Sequence, residues 1–421
     1  MARLEFINFK PWRESIYSDG SVAWKIDPTS RPIERLPQIF WNNGGGWNEA
    51  NHWALEKATQ VGIKIETVHS LMKHLHAYAC WLEENGQDWR HFPIRKADRA
   101  TVRFRGSVVK KMEKGVLSSS TARSRMRALI QFYRHCDAHG FVQPEYAIWL
   151  EKTVVIPYFD ASGFKRAILQ ITTDLAIRNR SRPGVRLEDG LVPLRCEHME
   201  ELLHFTSQAQ TQDLHFMLTL GFFTGARIGT ISALRVEDLE NAIPDPTMEG
   251  FFLLPVGPNA GIQTKSDVNG DLLMPDFLLR ELKAYAYSPQ RLKREALAKK
   301  VDRSILFLTK RGNRYALSSV SRKMTDLRRN SVKARLKFMK RFKFHQSRAT
   351  YGTWLMTVAL TVTTPAAAIE FVKNAMLHKD DATTWRYIHF LENSKAKQKM
   401  ANAFTEAFTG IRNRNWNEYH A

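Results

Sequence analysis

The sequence predicts a mainly α-helical chain with a small antiparallel β-sheet, divided into at least two domains. Apolar residues recur at spacings of three and four over long stretches, which is the period of one helix face. Only two short runs in the second half, Phe251–Pro255 and Asp271–Pro275, read as strands, and an Asn269-Gly270 turn pair lies between them. At 421 residues the chain exceeds one typical domain. Near its middle, Arg178-Asn-Arg-Ser-Arg-Pro-Gly184 breaks regular structure.

Lys and Arg number 63 against 42 Asp and Glu, a net charge of +21. So large an excess suits a polyanionic partner, because neutralising phosphates releases condensed counterions. Cys80, Cys136 and Cys196 are too widely spaced for a disulfide framework or a zinc pattern and fit a reducing cytosol. No apolar run approaches membrane-spanning length, and Met1-Ala-Arg-Leu-Glu-Phe lacks the apolar core of a signal peptide. These features place the expected location in the cytoplasm.

Residues 1–60 are set apart as an arm-like N-terminal extension. Trp41-Asn-Asn-Gly-Gly-Gly-Trp47 must be a loop, with tryptophans expected to pack against the next domain rather than stack on nucleic-acid bases, and Asn48 is the expected cap of a helix through Leu55. Residues 61–177 form a helical domain. One helix carries the stripe Val68, Leu71, Leu75, Tyr78 and Leu82 and ends at Asn85-Gly86. A second starts at the cap Ser118-Ser119-Ser120 and buries Ala122, Met126, Leu129, Tyr133 and Cys136. Arg123, Arg127 and Arg134 fall within about 40° of each other on that helix. They are a candidate phosphate-contact face, set against the ordinary reading of a solvated one. Residues 151–177 show no clear pattern.

Residues 178–190 read as a basic linker in which Arg180 and Arg182 are further candidates for DNA contact. The domain 191–398 follows. Glu197–Phe205 and His215–Phe223 are helical, and the latter ends at Thr224-Gly225, delivering Arg227 at the turn. Lys265 lies on the hairpin between the two strands, and Arg322–Lys343 is strongly basic. Beyond a polar Glu392–Gln398 spacer, Met400, Phe404, Phe408 and Ile411 make one apolar stripe in 399–421.

Taken in order, Thr224-Gly-Ala-Arg227-Ile-Gly229, Thr264-Lys265-Ser266, His345-Gln-Ser-Arg348, His378 and Ala382-Thr-Thr-Trp-Arg-Tyr387-Ile-His389 supply Arg, Lys, His-x-x-Arg, His and Tyr over about 160 residues. This series resembles the tyrosine recombinase (phage integrase) family. The resemblance implies the DNA breaking-rejoining enzyme fold for 191–398 and a helical core-binding domain before it. It implies Tyr387 as nucleophile and Arg227, Arg348 and His378 on the non-bridging phosphate oxygens. Lys265 is then the general acid, and His345 assists proton transfer. A 3′-phosphotyrosyl link stores the phosphodiester energy, so no cofactor, ATP or metal is implied.

The implied partner is duplex DNA carrying recombination sites. The family works as a homo-tetramer on DNA, monomer or dimer when free, with an accessory DNA-bending or directionality protein and a C-terminal helix exchanged between protomers. In a prokaryotic host the enzyme associates with the nucleoid. Three departures mark a divergent branch, such as a mobile-element integrase: Thr230 where an acidic residue is usual, Leu377 where glycine usually precedes the histidine, and a long stretch from Arg348 to His378. Alternatives are a type IB topoisomerase or telomere-resolving relative, against which His345-x-x-Arg348 argues. A catalytically silent DNA-binding regulator would have no reason to keep all six positions.

Overall fold

A computed structural model describes residues 1–159, 165–177, 187, 190–208 and 212–407. It is mainly helical with small antiparallel sheets. The chain divides into one unit of residues 1–156 and 167–182 and a second of 157–166 and 183–421.

The first unit begins with two β-ribbons. Strands β1 (Arg3–Phe9) and β4 (Ile33–Phe40) pair antiparallel, as do β2 (Trp12–Ile16) and β3 (Val22–Ile26). Helices α1 (Asn48–Thr59), α2 (Ile65–Glu84), α3 (Ala100–Glu113) and α4 (Ser119–Ala138) follow, then a two-stranded ribbon of β5 (Glu151–Phe159) and β6 (Lys165–Thr173). Residues 1–60 share one core with the helices: Leu36, Ile39, Trp47 and Trp53 cluster with Leu75, Tyr78, Leu129 and Phe132. The Gly-rich loop thus brings Trp47 inward, with its ring 4.9 Å from Phe132 and 5.5 Å from Trp89.

Asn48 is the first residue of α1 and not its cap; that position falls to Trp47, which makes no side-chain bond. The useful amide is Asn51. Its Oδ1 accepts from the Ile39 amide at 2.7 Å and its Nδ2 donates to the Ile39 carbonyl at 3.1 Å, fastening α1 to β4. Elsewhere local chemistry acts as expected. Ser118 caps α4 by accepting from the Thr121 amide, and Gly86, at φ 56°, follows α2. The predicted α4 stripe is buried throughout, and Arg123, Arg127 and Arg134 are exposed on the other side. Arg134 also lies over the Trp149 ring and 3.7 Å from Glu151. Arg180 and Arg182 lie outside the described residues.

The second unit holds α5 (Cys196–Gln208), α6 (Gln212–Thr224), the short α7 (Ile228–Ile231) and α8 (Val236–Glu240), and a three-stranded antiparallel sheet. That sheet is β7 (Ile243–Pro244), β8 (Phe251–Val256) and β9 (Gly270–Pro275), with β8 central. Next come α9 (Asp276–Ala286), α10 (Pro289–Ala296), α11 (Leu317–Lys333), α12 (Gln346–Val362), α13 (Pro365–Ala375) and α14 (Asp381–Ala407). Helix α14 is continuous, so the predicted polar spacer is helical and Tyr387 and Met400 share one helix. Of the tail stripe, Met400 is exposed, and Phe404, Phe408 and Ile411 are not among the described side chains.

Helix α6 is buried almost all round, which suits its near-continuous apolar sequence. One charge is buried with it. Asp213, in its first turn, accepts from Tyr315 Oη and pairs with Lys323 at 3.0 Å and Arg294 at 3.3 Å. Burial alone would raise the Asp213 pKa, but Tyr315, Lys323 and Arg294 together hold it below the usual carboxylate range. A native pKa below the unfolded one gives stability that is present above about pH 4 and lost as acid protonates the folded carboxylate. Replacing Asp213 with Asn strands the cations and should cost about 3–5 kcal/mol. Urea unfolding at neutral pH should show that loss, and the variant should lose less stability than the parent below about pH 4.

Candidate active site

The end of α6 aims the first arginine. Gly225 follows the helix at φ 65°, the left-handed conformation that ends helices cheaply only for glycine. Thr224 Oγ1 donates back to the Leu220 carbonyl at 2.7 Å and accepts from the Ala226 amide at 3.2 Å. The chain then turns so that Arg227 occupies the N-cap position of α7. Thr230, on α7, is buried and donates to the Gln263 carbonyl at 3.2 Å. A neutral hydroxyl at this position therefore ties the arginine's helix to the loop that carries Lys265.

That loop is not the tight hairpin that Asn269-Gly270 suggested. Residues 257–269 separate β8 from β9. Gly257 and Ile262 exchange backbone bonds at 3.0 Å, and Asn269 Oδ1 accepts from the Asn259 amide. Lys265 is exposed on a single 3-10 turn, Lys265–Asp267, in which Ser266 and Asp267 are both left-handed. Thr264 Oγ1 closes the turn on the Val268 carbonyl at 2.6 Å. Gly270 is needed for space: a Cβ there would overlap the Leu377 side chain.

Helix α12 starts at its N-cap, half-buried His345, and Arg348 lies one turn further on. The helix packs against α6 at backbone distance because Gly221 faces Ser347 and Gly225 faces the Tyr351 ring. Arg348 is 2% exposed. Its Nη1 donates to the Gly225 carbonyl and its Nη2 to the Met376 carbonyl, both at 2.6 Å. Burial pushes the neighbouring Tyr351 phenol well up, while the Arg348 charge partly offsets this.

Met376 caps the C-terminus of α13, and Leu377 takes the left-handed position at φ 52° that glycine would occupy without strain. The amides of Leu377 and His378 bond back to Asn374 and Lys373 at 3.0 Å. His378 is buried, and its Nδ1 shares a hydrogen bond with Thr384 Oγ1 at 2.9 Å. Lys373 pairs with Asp381 at 2.6 Å, holding the start of α14 to α13. Tyr387 is fully buried, and its ring centroid lies 6.0 Å from that of His378. Gly352 makes room for it, since a Cβ there would sit 2.6 Å from Tyr387 Cε1.

These turns border an open cleft of about 210 Å³. Arg227, Lys265 and His378 line it, so three of the six predicted catalytic residues meet there. Arg348 and Tyr387 do not line it but pack on the turns that form its wall, and His345 is not among the lining residues. Lys379, Thr383 and Arg386 also line the cleft, and the sequence reading did not single them out. Four cationic side chains (Arg227, Lys265, Lys379 and Arg386) face one carboxylate, Asp380. Thr384, whose hydroxyl orients His378, was passed over as well. Thr383, Thr384 and Arg386 lie inside the predicted Tyr387 motif and Lys379 directly follows His378, so their positions were a signal. The cleft suits the anionic non-bridging oxygens of a phosphate better than an apolar ligand.

Residues 193–394 match the model of the phage integrase family. Solved structures similar to this chain include the Tn1549 transposon integrase in complex with circular intermediate DNA, at 15% identity and a TM-score of 0.48, covering 80% of this chain and 94% of that one. A lambda integrase dimer bound to a COC′ core site follows at 15% identity and 0.46, covering 81% and 94%. XerA recombinase is 16% identical with a TM-score of 0.34, covering 87% and 97%. No curated protein sequence gives a match. The matched residues lie wholly within the second unit. Over residues 193–394 the chain is similar to the phage integrase, or tyrosine recombinase, family.

Gly225 is the position on which this geometry can be probed most sharply. Alanine there must take a left-handed backbone and press into the Tyr351 ring. The two effects should cost about 2–4 kcal/mol, read as a lower unfolding midpoint. A loss under about 0.5 kcal/mol would show that Gly225 and Tyr351 are not in contact.

Proposed function

We propose that the protein is a site-specific recombinase that cleaves and rejoins duplex DNA through a 3′-phosphotyrosyl intermediate, during integration or excision of a mobile element. The observation that carries this reading is the convergence of Arg227, Lys265 and His378 on one cationic cleft, with Arg348 and Tyr387 packed on its wall.

In this reading the Tyr387 phenolic oxygen attacks phosphorus and the bond to the 5′ oxygen breaks. The tyrosine proton leaves with the assistance of His345, and Lys265 donates a proton to the departing 5′ oxygen. Charge building on the non-bridging oxygens is met by Arg227 and His378 in the cleft and by Arg348 behind Gly225. Arg348 differs from a simple phosphate fork because two of its donors already hold backbone carbonyls. Its charge acts close to the cleft while the same bonds keep the turns in place. The 5′ hydroxyl of a second strand then reverses the step, and the retained phosphodiester energy drives rejoining without ATP.

Exposed Arg123 and Arg127 on α4 would contact the DNA backbone of the site, with Arg134, Arg180 and Arg182 as further contacts. Two duplexes exchanging both strands require four such centres, so the working form would be a homo-tetramer on DNA, with 399–421 exchanged between subunits.

Tyr387→Phe keeps the ring but removes the attacking oxygen. DNA binding should persist while covalent protein–DNA adducts disappear on denaturing gels. Adducts that persist, or that map to Tyr351, would refute the assignment. Lys265→Ala should lower cleavage of ordinary DNA by about 100-fold or more. A substrate with a bridging 5′ sulfur, whose leaving group needs no proton, should restore the rate. Equal loss on both substrates would make Lys265 a binding residue only.

A further inference from the structure

The first unit contains a cluster that the strand-transfer chemistry does not use. His52 and Glu56 are one turn apart on α1, and His135 in the last turn of α4 is followed one turn on by His139 at its C-cap, so each helix presents an i, i+4 pair to the other. One ligand atom from each of the four lies within 4.8 Å of all the others. His52 Nδ1 is 3.3 Å from His135 Nε2. Glu56 Oε2 is 3.2 Å from His135 Nδ1 and 3.3 Å from His139 Nε2.

Hydrogen bonding accounts for only part of this arrangement: His52 Nδ1 and His135 Nε2 share a hydrogen bond, and the Glu56 carboxylate is left over. His139 Nδ1 donates to the His135 carbonyl at 3.0 Å, which places the proton of a neutral ring on Nδ1 and a lone pair on Nε2. That lone pair faces the Glu56 carboxylate. Glu56 Oε2 is shut off from solvent and accepts no hydrogen bond. Two acceptors held 3.3 Å apart around a buried carboxylate oxygen call for a cation between them.

We propose that His52, Glu56, His135 and His139 form a structural site for a divalent metal ion of the zinc class, clamping α1 to α4. The donor set of three imidazoles and one carboxylate suits a tetrahedral zinc ion. Zinc–nitrogen bonds of about 2.0–2.1 Å set ligand atoms about 3.3 Å apart, which the measured separations already approach. His135 can offer only one of its two nitrogens, so the wider separations close by rotation of the exposed His52 and His139 rings. The surroundings are also those of a metal site. Gln60 Nε2 donates to the other Glu56 oxygen at 3.2 Å, and the His139 tautomer is fixed by a backbone carbonyl. The Phe141 ring packs against all three histidines, at 5.5, 5.8 and 5.6 Å, and covers one side of the cluster. With four protein ligands the site is closed, so its role is to hold two helices together. It is independent of the reaction assigned to the second unit.

The test uses the untagged full chain after chelator treatment, with Zn²⁺ for calorimetry and Co²⁺ as a spectroscopic probe. One equivalent should bind, Co²⁺ should show the intense visible bands of a tetrahedral complex, and Zn²⁺ should raise the unfolding temperature. His52→Ala with His139→Ala should abolish the bands. Because both side chains are exposed, the double variant should melt without metal as the parent does. Gln60→Ala should retain the bands with affinity reduced about 10–100-fold. Absence of one-to-one binding by the parent would overturn the proposal and leave a shared proton as the cation. Unchanged bands in the double variant would overturn it too.

Discussion

The buried guanidinium of Arg348 is the constraint on which the second unit's site depends. It joins the Gly225 carbonyl, 123 residues away in sequence, to the Met376 carbonyl, 28 residues away. The first lies two residues before Arg227, and the second two residues before His378. A charge in a nearly dry position is stable only with its donors engaged, and two backbone carbonyls meet part of that demand. The bonds that satisfy Arg348 therefore also fix the separation of the two turns. Lysine could not do this, since its point charge cannot reach two carbonyls in one plane.

Glycines make that bridge possible. Gly221 and Gly225 let α12 approach α6 closely enough for Arg348 to reach the turn, and Gly352 admits the Tyr387 ring. The opposite device operates on the other side of the cleft. At 377 the chain accepts a strained leucine and places the missing side chain at Gly270 instead, so that Leu377 packs onto the sheet. A departure from the family pattern thus has a local physical reason. The leucine gives up about 1–2 kcal/mol of backbone preference and gains a contact between the His378 turn and β9. Thr230 follows the same logic, replacing an expected charge with a hydroxyl that reaches the Lys265 loop.

How much of this was legible in the sequence varies with the kind of information involved. The mainly helical class and the cap and stripe of α4 follow from local rules, and they agree with the structure. The ribbons of the first unit were not legible. Trp12, Ile16, Val22 and Trp24 in β2 and β3 are exposed, as are Val155, Leu169 and Ile171 in β5 and β6, so neither ribbon shows the one-sided alternation that marks a half-buried strand. Helix α3 fell within the stretch read as helical, but its four basic residues kept it from being singled out. Asn269-Gly270 misled because a turn pair reports backbone freedom, whereas here Gly270 is required by a side chain 107 residues further on. The His–Glu cluster was invisible for a related reason: two unremarkable i, i+4 pairs acquire meaning only when α1 and α4 are packed together.

Tyr387 brings the two halves of the site together and shows what the fold leaves undone. Its burial is complete, with Gly352 and Met376 against the ring and His378 stacked beside it. A phenol in that position does not line the cleft, so the attack proposed for it would need the first turns of α14 to move. Those turns are held by the Lys373–Asp381 pair, the His378–Thr384 bond and the packing of Tyr387 and Ile388 against α12 and α13. The pair is partly exposed and of modest strength. The His378–Thr384 bond couples the motion to a residue that also lines the cleft. An anion bound beside His378 would compete for that imidazole, loosening the hold on α14 at the moment when a phosphate is present to be attacked. Shielding and release of the tyrosine would then rest on the same histidine.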